Sequence, residues 1–471
     1  MTPFVYIVPL KTLKVNVKSV KINNKLESNM LNKNRKVAFH TLGCKVNSYE
    51  TEAMRNQLEQ NGYEIADFKP GADIYIINTC TVTNIADRKS RQMLHKAKKM
   101  NKDAVVIAVG CYVQAAGEEL LKDEAIDIVV GSNRKSEIVH IIEEYYAGKD
   151  HSYLSDISKS CEYDDMEMSS LAERTRAFIK IQDGCNQFCT YCIIPYARGR
   201  IRSRKLEDIR QEVEKLAANG YQEVVLTGIH LSSYGRDQEE NVTLSDAIRV
   251  VSEVEGIKRI RLGSLEQGII TEEFVRELSE NPKFCPQFHL SLQSGSETVL
   301  KRMNRHYTPQ QYEEKCNVIR RYFKNPAFTT DIIVGFPAET EEEFEETMQF
   351  AEQIGFSKIH IFKYSMRKGT PAAKMEYQVA DSIKTERSEK MEKLNEKLEE
   401  NYRRCFLEQE EEVLMEERIL VDGQRYFVGH TREYLKIAVV TEEDLENKMV
   451  QVRVKKMLNK EILLAEIVKI Y

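Results

Sequence analysis

Three cysteines stand close together in the run Gly184-Cys185-Asn186-Gln187-Phe188-Cys189-Thr190-Tyr191-Cys192, with the spacing C-x3-C-x2-C. They follow a strand-like segment, 178–183. Three thiolates on one short loop can hold three corners of a cubane iron–sulfur cluster and leave one iron open to a small molecule. A structural zinc site is the plainer use of clustered cysteines. Zinc, however, takes four protein ligands, and the next candidates, His230 and Cys161, are far off in the chain.

A second set emerges from the elements that must position it. Apolar runs at 37–42, 74–77, 104–109 and 126–130 each precede a helix-compatible segment, the pattern of a parallel sheet covered by helices. Three of these runs lead into cysteine: Leu42-Gly43-Cys44, Asn78-Thr79-Cys80 and Val109-Gly110-Cys111. In an open α/β sheet the carboxyl ends of the strands share one edge, where ligands bind. The three cysteines are therefore predicted to converge. A single one would be an ordinary buried residue at a strand end; three at equivalent positions argue for a site.

From Arg176 the rhythm resumes for six units, with strands expected at 178–182, 224–229, 260–264, 288–293, 329–335 and 358–365. Six units suit a partial, open (β/α)6 barrel with its site at the carboxyl ends of the strands. A long charged pattern without Pro or Gly, 381–410, reads as a solvent-facing helix. Beyond it, five short strand-like runs predict a small β-barrel of oligonucleotide-binding type. Acidic residues slightly outnumber basic ones there, so any RNA contact must come from a local face, with Arg453 and Lys455 as candidates. Arg198, Arg200, Arg202 and Arg204 alternate beside the cysteine loop and are expected to share one face. Arg88 and Arg91 follow Cys80. Both groups are read as phosphate contacts.

The segment from Asp183 to Arg200, with Ile193-Ile194-Pro195-Tyr196-Ala197-Arg198-Gly199 after the cysteines, resembles the cluster loop of radical S-adenosylmethionine (SAM) enzymes, and more closely their methylthiotransferase branch. The run Thr41-Leu42-Gly43-Cys44-Lys45-Val46-Asn47-Ser48-Tyr49-Glu50 resembles the class of that family acting on threonylcarbamoyladenosine. The resemblance covers about residues 36–471. It departs at Gln267 and Lys363, where proline is usual, which bears on loop shape.

The resemblance implies two [4Fe-4S] clusters, one on Cys185, Cys189 and Cys192 and an auxiliary one on Cys44, Cys80 and Cys111, with no catalytic residues beyond these ligands. It implies SAM, two equivalents per turnover, held at strand ends by Thr227, Gly228, Ser264, Glu266, Gln293, Arg305, Gly335 and Pro337. An electron entering the first cluster would cleave SAM to a 5′-deoxyadenosyl radical, and a methylthio group would pass to carbon 2 of the adenine at tRNA position 37. The implied partners are the tRNA anticodon loop, an electron donor such as flavodoxin or ferredoxin, and a sulfur source. The rival substrates are isopentenyladenosine or a ribosomal protein side chain; the remoter rival is a non-catalytic iron–sulfur RNA-binding protein.

The expected organisation is α/β: a basic disordered extension (1–34), an open parallel sheet domain (35–150), a linker (151–171), the radical SAM barrel (172–402) and a TRAM-like barrel (403–471). The 471 residues, 42% hydrophobic and 30% charged with net charge −5, suit a soluble protein and argue against non-specific nucleic-acid coating. Ten cysteines clustered by motif favour metal ligation in a reducing cytoplasm. No apolar run is long enough for a membrane span.

Overall fold

The computed structural model describes residues 35–168, 175–239 and 241–471. The expected extension 1–34 and residues 169–174 lie outside the described residues.

The first layer is built from β1 (Lys36–Thr41), α1 (Lys45–Gln60), β2 (Glu64–Ala66), β3 (Ile74–Thr79), α2 (Asn84–Met100), β4 (Val105–Gly110), α3 (Cys111–Ala116), β5 (Ile128–Val130), α4 (Ile138–Tyr146) and β6 (Ser152–Tyr153). The strands form one parallel sheet in the order β2-β1-β3-β4-β5-β6. Ile74, Ile76, Val105 and Ile107 pack on one face, and Tyr75, Ile77, Val106 and Ala108 on the other. Burial on both faces is why the strands read as continuous apolar runs instead of alternating ones.

The second layer comprises β7 (Arg176–Asp183), α5 (Ile194–Arg198), β8 (Arg202–Ser203), α6 (Leu206–Ala218), β9 (Glu223–Gly228), α7 (Leu244–Ser252), β10 (Arg259–Leu262), α8 (Glu272–Glu280), β11 (Gln287–His289), α9 (Glu297–Arg302), α10 (Pro309–Tyr322), β12 (Ala327–Val334), α11 (Glu341–Ile354), β13 (Lys358–Lys363) and α12 (Asp381–Arg404). Its sheets, β10-β9-β7-β8 and β11-β12-β13, are joined by single bridges such as Leu265 to Leu290, so the barrel stays open. The third unit, β14 (Glu410–Val421), β15 (Gln424–Thr431), β16 (Lys436–Val439), β17 (Met449–Met457) and β18 (Ile462–Ile470), closes into a five-stranded barrel. It is docked by Arg259 and Arg261, whose guanidinium groups donate to the Glu412 and Thr431 carbonyls at 2.7 Å.

Two expectations are corrected. The stretch from 151 is packed: β6 extends the first sheet, and Met166 and Met168 enter its core. Its polar composition misled because few side chains carry the contact. Helix α12 is amphipathic, not solvent-facing. Met391, Leu394 and Leu398 join the barrel core, and Asn395 accepts the Ile359 amide at 2.8 Å. Strands β2, β6 and β8 went unread because two or three residues cannot display a period.

Candidate functional site

The loop after β7 carries the cysteine triplet across the carboxyl end of the barrel. Gly184 opens it at φ +72°, and a Cβ there would fall 1.7 Å from the Arg200 carbonyl oxygen. Only glycine fits so close an approach. Gly184→Ala is expected to displace the loop and lower the iron retained per chain, measured on reconstituted protein. The loop is pinned by its neighbours: Thr190 Oγ1 donates to the Arg302 carbonyl at 2.9 Å, and the Cys192 amide donates to the Cys189 carbonyl at 2.9 Å.

Burial pushes the Cys185 thiol up to about 11 and the Cys192 thiol up to about 12, with Cys189 adding repulsion in both cases. Burial thus favours the neutral thiols, and a cation bound between them would favour the thiolates. Two hydrogen bonds already point at sulfur. The Gln187 amide donates to Cys185 Sγ at 3.5 Å and Arg305 Nη1 to Cys189 Sγ at 3.4 Å. Three thiols on one short loop, two of them accepting N–H groups, are the donor type that a [4Fe-4S] cluster with one open iron takes.

Beside the triplet lies a carboxylate with several partners. Glu266 pairs with Arg305 at 3.0 Å and His230 at 3.0 Å, and accepts from Gln187 Nε2 at 2.8 Å. Burial opposes its charge, yet His230 and Arg305 hold it below the usual carboxylate range. Gly228, at the end of β9, is needed because a Cβ would meet Gln182 Oε1 at 2.8 Å. Thr227 beside it is buried, whereas Ser264 after β10 is exposed. Gln293 adopts φ +71° and is 8% exposed. Gly335 and Pro337 form a buried turn, closed by the Gly335 amide donating to Glu339 Oε2 at 2.6 Å under Arg387.

On the first sheet, Cys44, Cys80 and Cys111 follow β1, β3 and β4, which are adjacent strands. Cys80 Sγ lies 2.9 Å from where a Cβ on Gly43 would sit, so the glycine makes room for it. Burial pushes the Cys80 thiol up to about 11, and Cys111 and Cys44 add to the shift, so the three sulfurs are electrostatic neighbours. Asn47 Nδ2 donates to the Leu42 carbonyl at 2.7 Å and the Thr79 carbonyl at 3.0 Å, which ties two of the cysteine-bearing ends together.

The two cysteine regions meet at a cavity of about 190 Å³. Val82 and Thr83, just after Cys80, form one wall. Tyr191, Cys192, Ile193 and Ile194 form another, and Gln293, Asp331 and Tyr364 from the barrel complete it. Arg367 clamps the first wall in place. Its Nη2 donates to Thr81 Oγ1 at 2.6 Å and pairs with Asp87 at 2.8 Å, and its Nη1 donates to Asn84 Oδ1 at 2.7 Å.

The model of the Radical SAM superfamily matches residues 179–351, and that of the uncharacterized protein family UPF0004 matches residues 36–131. Threonylcarbamoyladenosine tRNA methylthiotransferase MtaB of Bacillus subtilis (strain 168) is 42% identical over 422 residues, 89% of this chain and 94% of that protein. The chain belongs to the radical SAM methylthiotransferase family. Within the same family, a tRNA-2-methylthio-N(6)-dimethylallyladenosine synthase of Clostridium botulinum (strain Hall / ATCC 3502 / NCTC 13319 / Type A) is 34% identical over 88% of this chain and 93% of that one. Among solved structures, the radical SAM methyltransferase TsrM from Kitasatospora setae shares the fold, with TM-score 0.53 and 14% identity over 72% of this chain and 77% of that one.

For a radical SAM methylthiotransferase, one sequence expectation is overturned. Arg198, Arg202 and Arg204 are not phosphate contacts; they are at most 1% exposed. Arg198 and Arg202 pair with Asp183, and Arg204 with Glu212. The left-handed Gly199, φ +73°, ends α5 and breaks the assumed extended strip. Only Arg200 points outward, its guanidinium 4.7 Å from the Phe188 ring. Arg88 and Arg91 are exposed, Arg91 donating to the Tyr112 hydroxyl at 2.9 Å. Arg453 and Lys455 lie on the small barrel, paired with Glu410 and Glu408.

Sequence reading missed Glu50, Lys135, Lys180, Asp183 and Arg367 as site residues, and weighed His230 only as a zinc ligand. Lys180 carried a signal, a lone charge between Ile179 and Ile181 in an apolar strand; Lys135 carried none. Arg367→Ala is expected to leave SAM cleavage intact in this methylthiotransferase. Methylthiolated product should fall on the order of tenfold to a hundredfold, because a loosened wall misplaces the reacting groups. Parallel assays of 5′-deoxyadenosine and product check it.

Proposed function

We propose that the protein is a tRNA methylthiotransferase that converts N6-threonylcarbamoyladenosine at position 37 to its 2-methylthio derivative. Cys185, Cys189 and Cys192 would hold one [4Fe-4S] cluster, and Cys44, Cys80 and Cys111 a second. When bound, the first supplies the electron for SAM cleavage and the second carries the sulfur.

The observation that carries this reading is the cavity lined by Cys192 on one side and by Val82 and Thr83, just after Cys80, on the other. Glu266, already paired with Arg305 and His230, offers a fixed carboxylate to the cofactor's ammonium or hydroxyls. Thr227, Gly228, Ser264, Gln293, Gly335 and Pro337 border the same strand ends and would complete the SAM contacts. Ile193, Ile333 and Tyr364 give the cavity a largely apolar wall. The exposed side chains Val82, Ile85, Phe362 and Met366 come from the segments around its mouth, where a splayed base can stack.

Arg88, Arg91 and Arg200 would meet the anticodon-loop phosphates. The five-stranded barrel, read as TRAM-like, would grip tRNA through Arg453 and Lys455. An external electron donor such as flavodoxin or ferredoxin, a sulfur source and a second SAM complete the cycle, in the cytoplasm. Among the described residues, no helix is long and apolar enough to cross a membrane.

Nucleosides of tRNA from cells with and without the gene test the substrate. The 2-methylthio-threonylcarbamoyl nucleoside should vanish without it while the 2-methylthio-isopentenyl one persists. The opposite outcome moves the substrate to isopentenyladenosine, and loss of neither points to a protein side chain.

A further inference from the structure

Arg198 lies six residues beyond Cys192 on the chain, yet its side chain reaches the other cysteine site. Its Nε donates to Cys111 Sγ at 3.0 Å. The remaining guanidinium nitrogens are fully engaged. Nη1 donates to Glu50 Oε1 at 2.5 Å and Asp183 Oδ2 at 3.2 Å; Nη2 donates to Asn47 Oδ1 at 2.6 Å and Glu50 Oε2 at 3.0 Å. Asn47 and Glu50 sit in the helix begun by Cys44, and Asp183 lies two residues before Cys185. One buried side chain thus touches elements that carry both cysteine sets.

The charges around it do not balance. Lys135, Lys180, Arg198 and Arg202 are all 0% exposed, and so are their carboxylate partners Glu50 and Asp183. Asp164, 8% exposed, accepts the Lys135 amide at 3.0 Å at the margin of the group. Cations outnumber carboxylates even when Asp164 is counted. Buried charge without a counterpart is costly, and Cys111 Sγ is the acceptor at the open end. Three thiolates around a cubane core leave a site anionic, which supplies the missing charge.

We propose that Arg198 is a positioning residue for the auxiliary cluster, a proposal that rests on the two-cluster reading above. Its N–H···S bond fixes Cys111 and draws electron density from the sulfur, which raises the reduction potential of the cluster held there. Its grip on Asp183 and Glu50 sets the position of that cluster relative to the SAM-binding one. Arg305 makes the equivalent N–H···S contact to Cys189, so each set is tuned by its own arginine.

Arg198→Lys keeps the charge and removes the fork and the Nε donor. In the reconstituted full-length enzyme, the auxiliary cluster's midpoint potential should fall and the SAM-binding cluster's should stay. The ratio of 5′-deoxyadenosine to methylthiolated product should rise on the order of tenfold. Unchanged potential and ratio overturn the proposal. Should the variant not fold, protein with Cys185, Cys189 and Cys192 replaced by alanine and labelled with 15N-arginine decides it. Its cluster should show a 15N hyperfine coupling, and absence of that coupling overturns the proposal. A Cys44/Cys80/Cys111→Ala variant separates the two levels. Iron equal to wild type there removes the two-cluster reading itself; halved iron with an unresponsive Arg198→Lys removes only the role of Arg198.

Discussion

Cys111→Ala is expected to leave reductive SAM cleavage running while methylthiolated nucleoside disappears. The two cysteine sets sit on separate scaffolds, one on the barrel loop after β7 and one at the edge of the parallel sheet. Removing a sulfur at the sheet edge does not touch Gln187, Arg305 or Glu266, which surround the barrel triplet. Iron should therefore fall from about eight to about four per chain, and product should drop below detection. Cys189→Ala is the opposite control, because it should abolish SAM cleavage itself. Iron analysis with the two product assays reads both variants. A Cys111→Ala enzyme that still makes product would remove the auxiliary site from the chemistry.

Glu50→Gln is expected to be strongly destabilising although it is isosteric. Glu50 is fully buried and pairs with Lys135, Lys180 and Arg198. Neutralising it takes Lys135's carboxylate partner away in a dry interior and leaves Lys180, Arg198 and Arg202 to share Asp183, and breaking such a network costs about 3–5 kcal/mol. The loss should be felt as separation of the first sheet from the barrel, because Lys180 and Arg198 belong to the barrel and Glu50 and Lys135 to the sheet. Limited proteolysis and hydrogen exchange of α1 check it, and protection equal to wild type would refute it.

The pH dependence has a defined sign. Burial pushes the Glu50 carboxyl up, but Arg198, Lys135 and Lys180 override it and hold the group well below the usual carboxylate range. A depressed carboxylate stabilises the fold above its unfolded pKa and loses that stabilisation as pH falls toward the folded value. Wild type should thus hold the two units together at neutral pH and release them only in acid. The Gln variant should show a shallower acid limb.

The basic strip beside the cysteine loop illustrates what the chain alone left undecided. Alternation of Arg198, Arg200, Arg202 and Arg204 gave no means of telling a phosphate-binding face from a buried ion network. Glu50, the partner of Arg198, lies 148 residues from it in sequence. Pairing partners are set by which surfaces dock, and docking leaves no local trace. The same reason hid Arg367, whose acceptors Thr81, Asn84 and Asp87 lie 280 or more residues away. Lys180 was legible in principle, as a charge interrupting an apolar strand, and was read through.

The grouping of the cysteines into two sets, the strand–helix rhythm and the five closing strands were legible in the sequence alone. Each rests on spacing within a few residues or on the shared edge of a parallel sheet, and such short-range geometry is written directly in the chain. Tertiary structure alone decided that Cys192 and the residues just after Cys80 line one cavity, and that Arg198 contacts the Cys111 sulfur from a fully buried position. Both depend on long-range burial, where the cost of an unpaired charge selects partners that no local pattern announces.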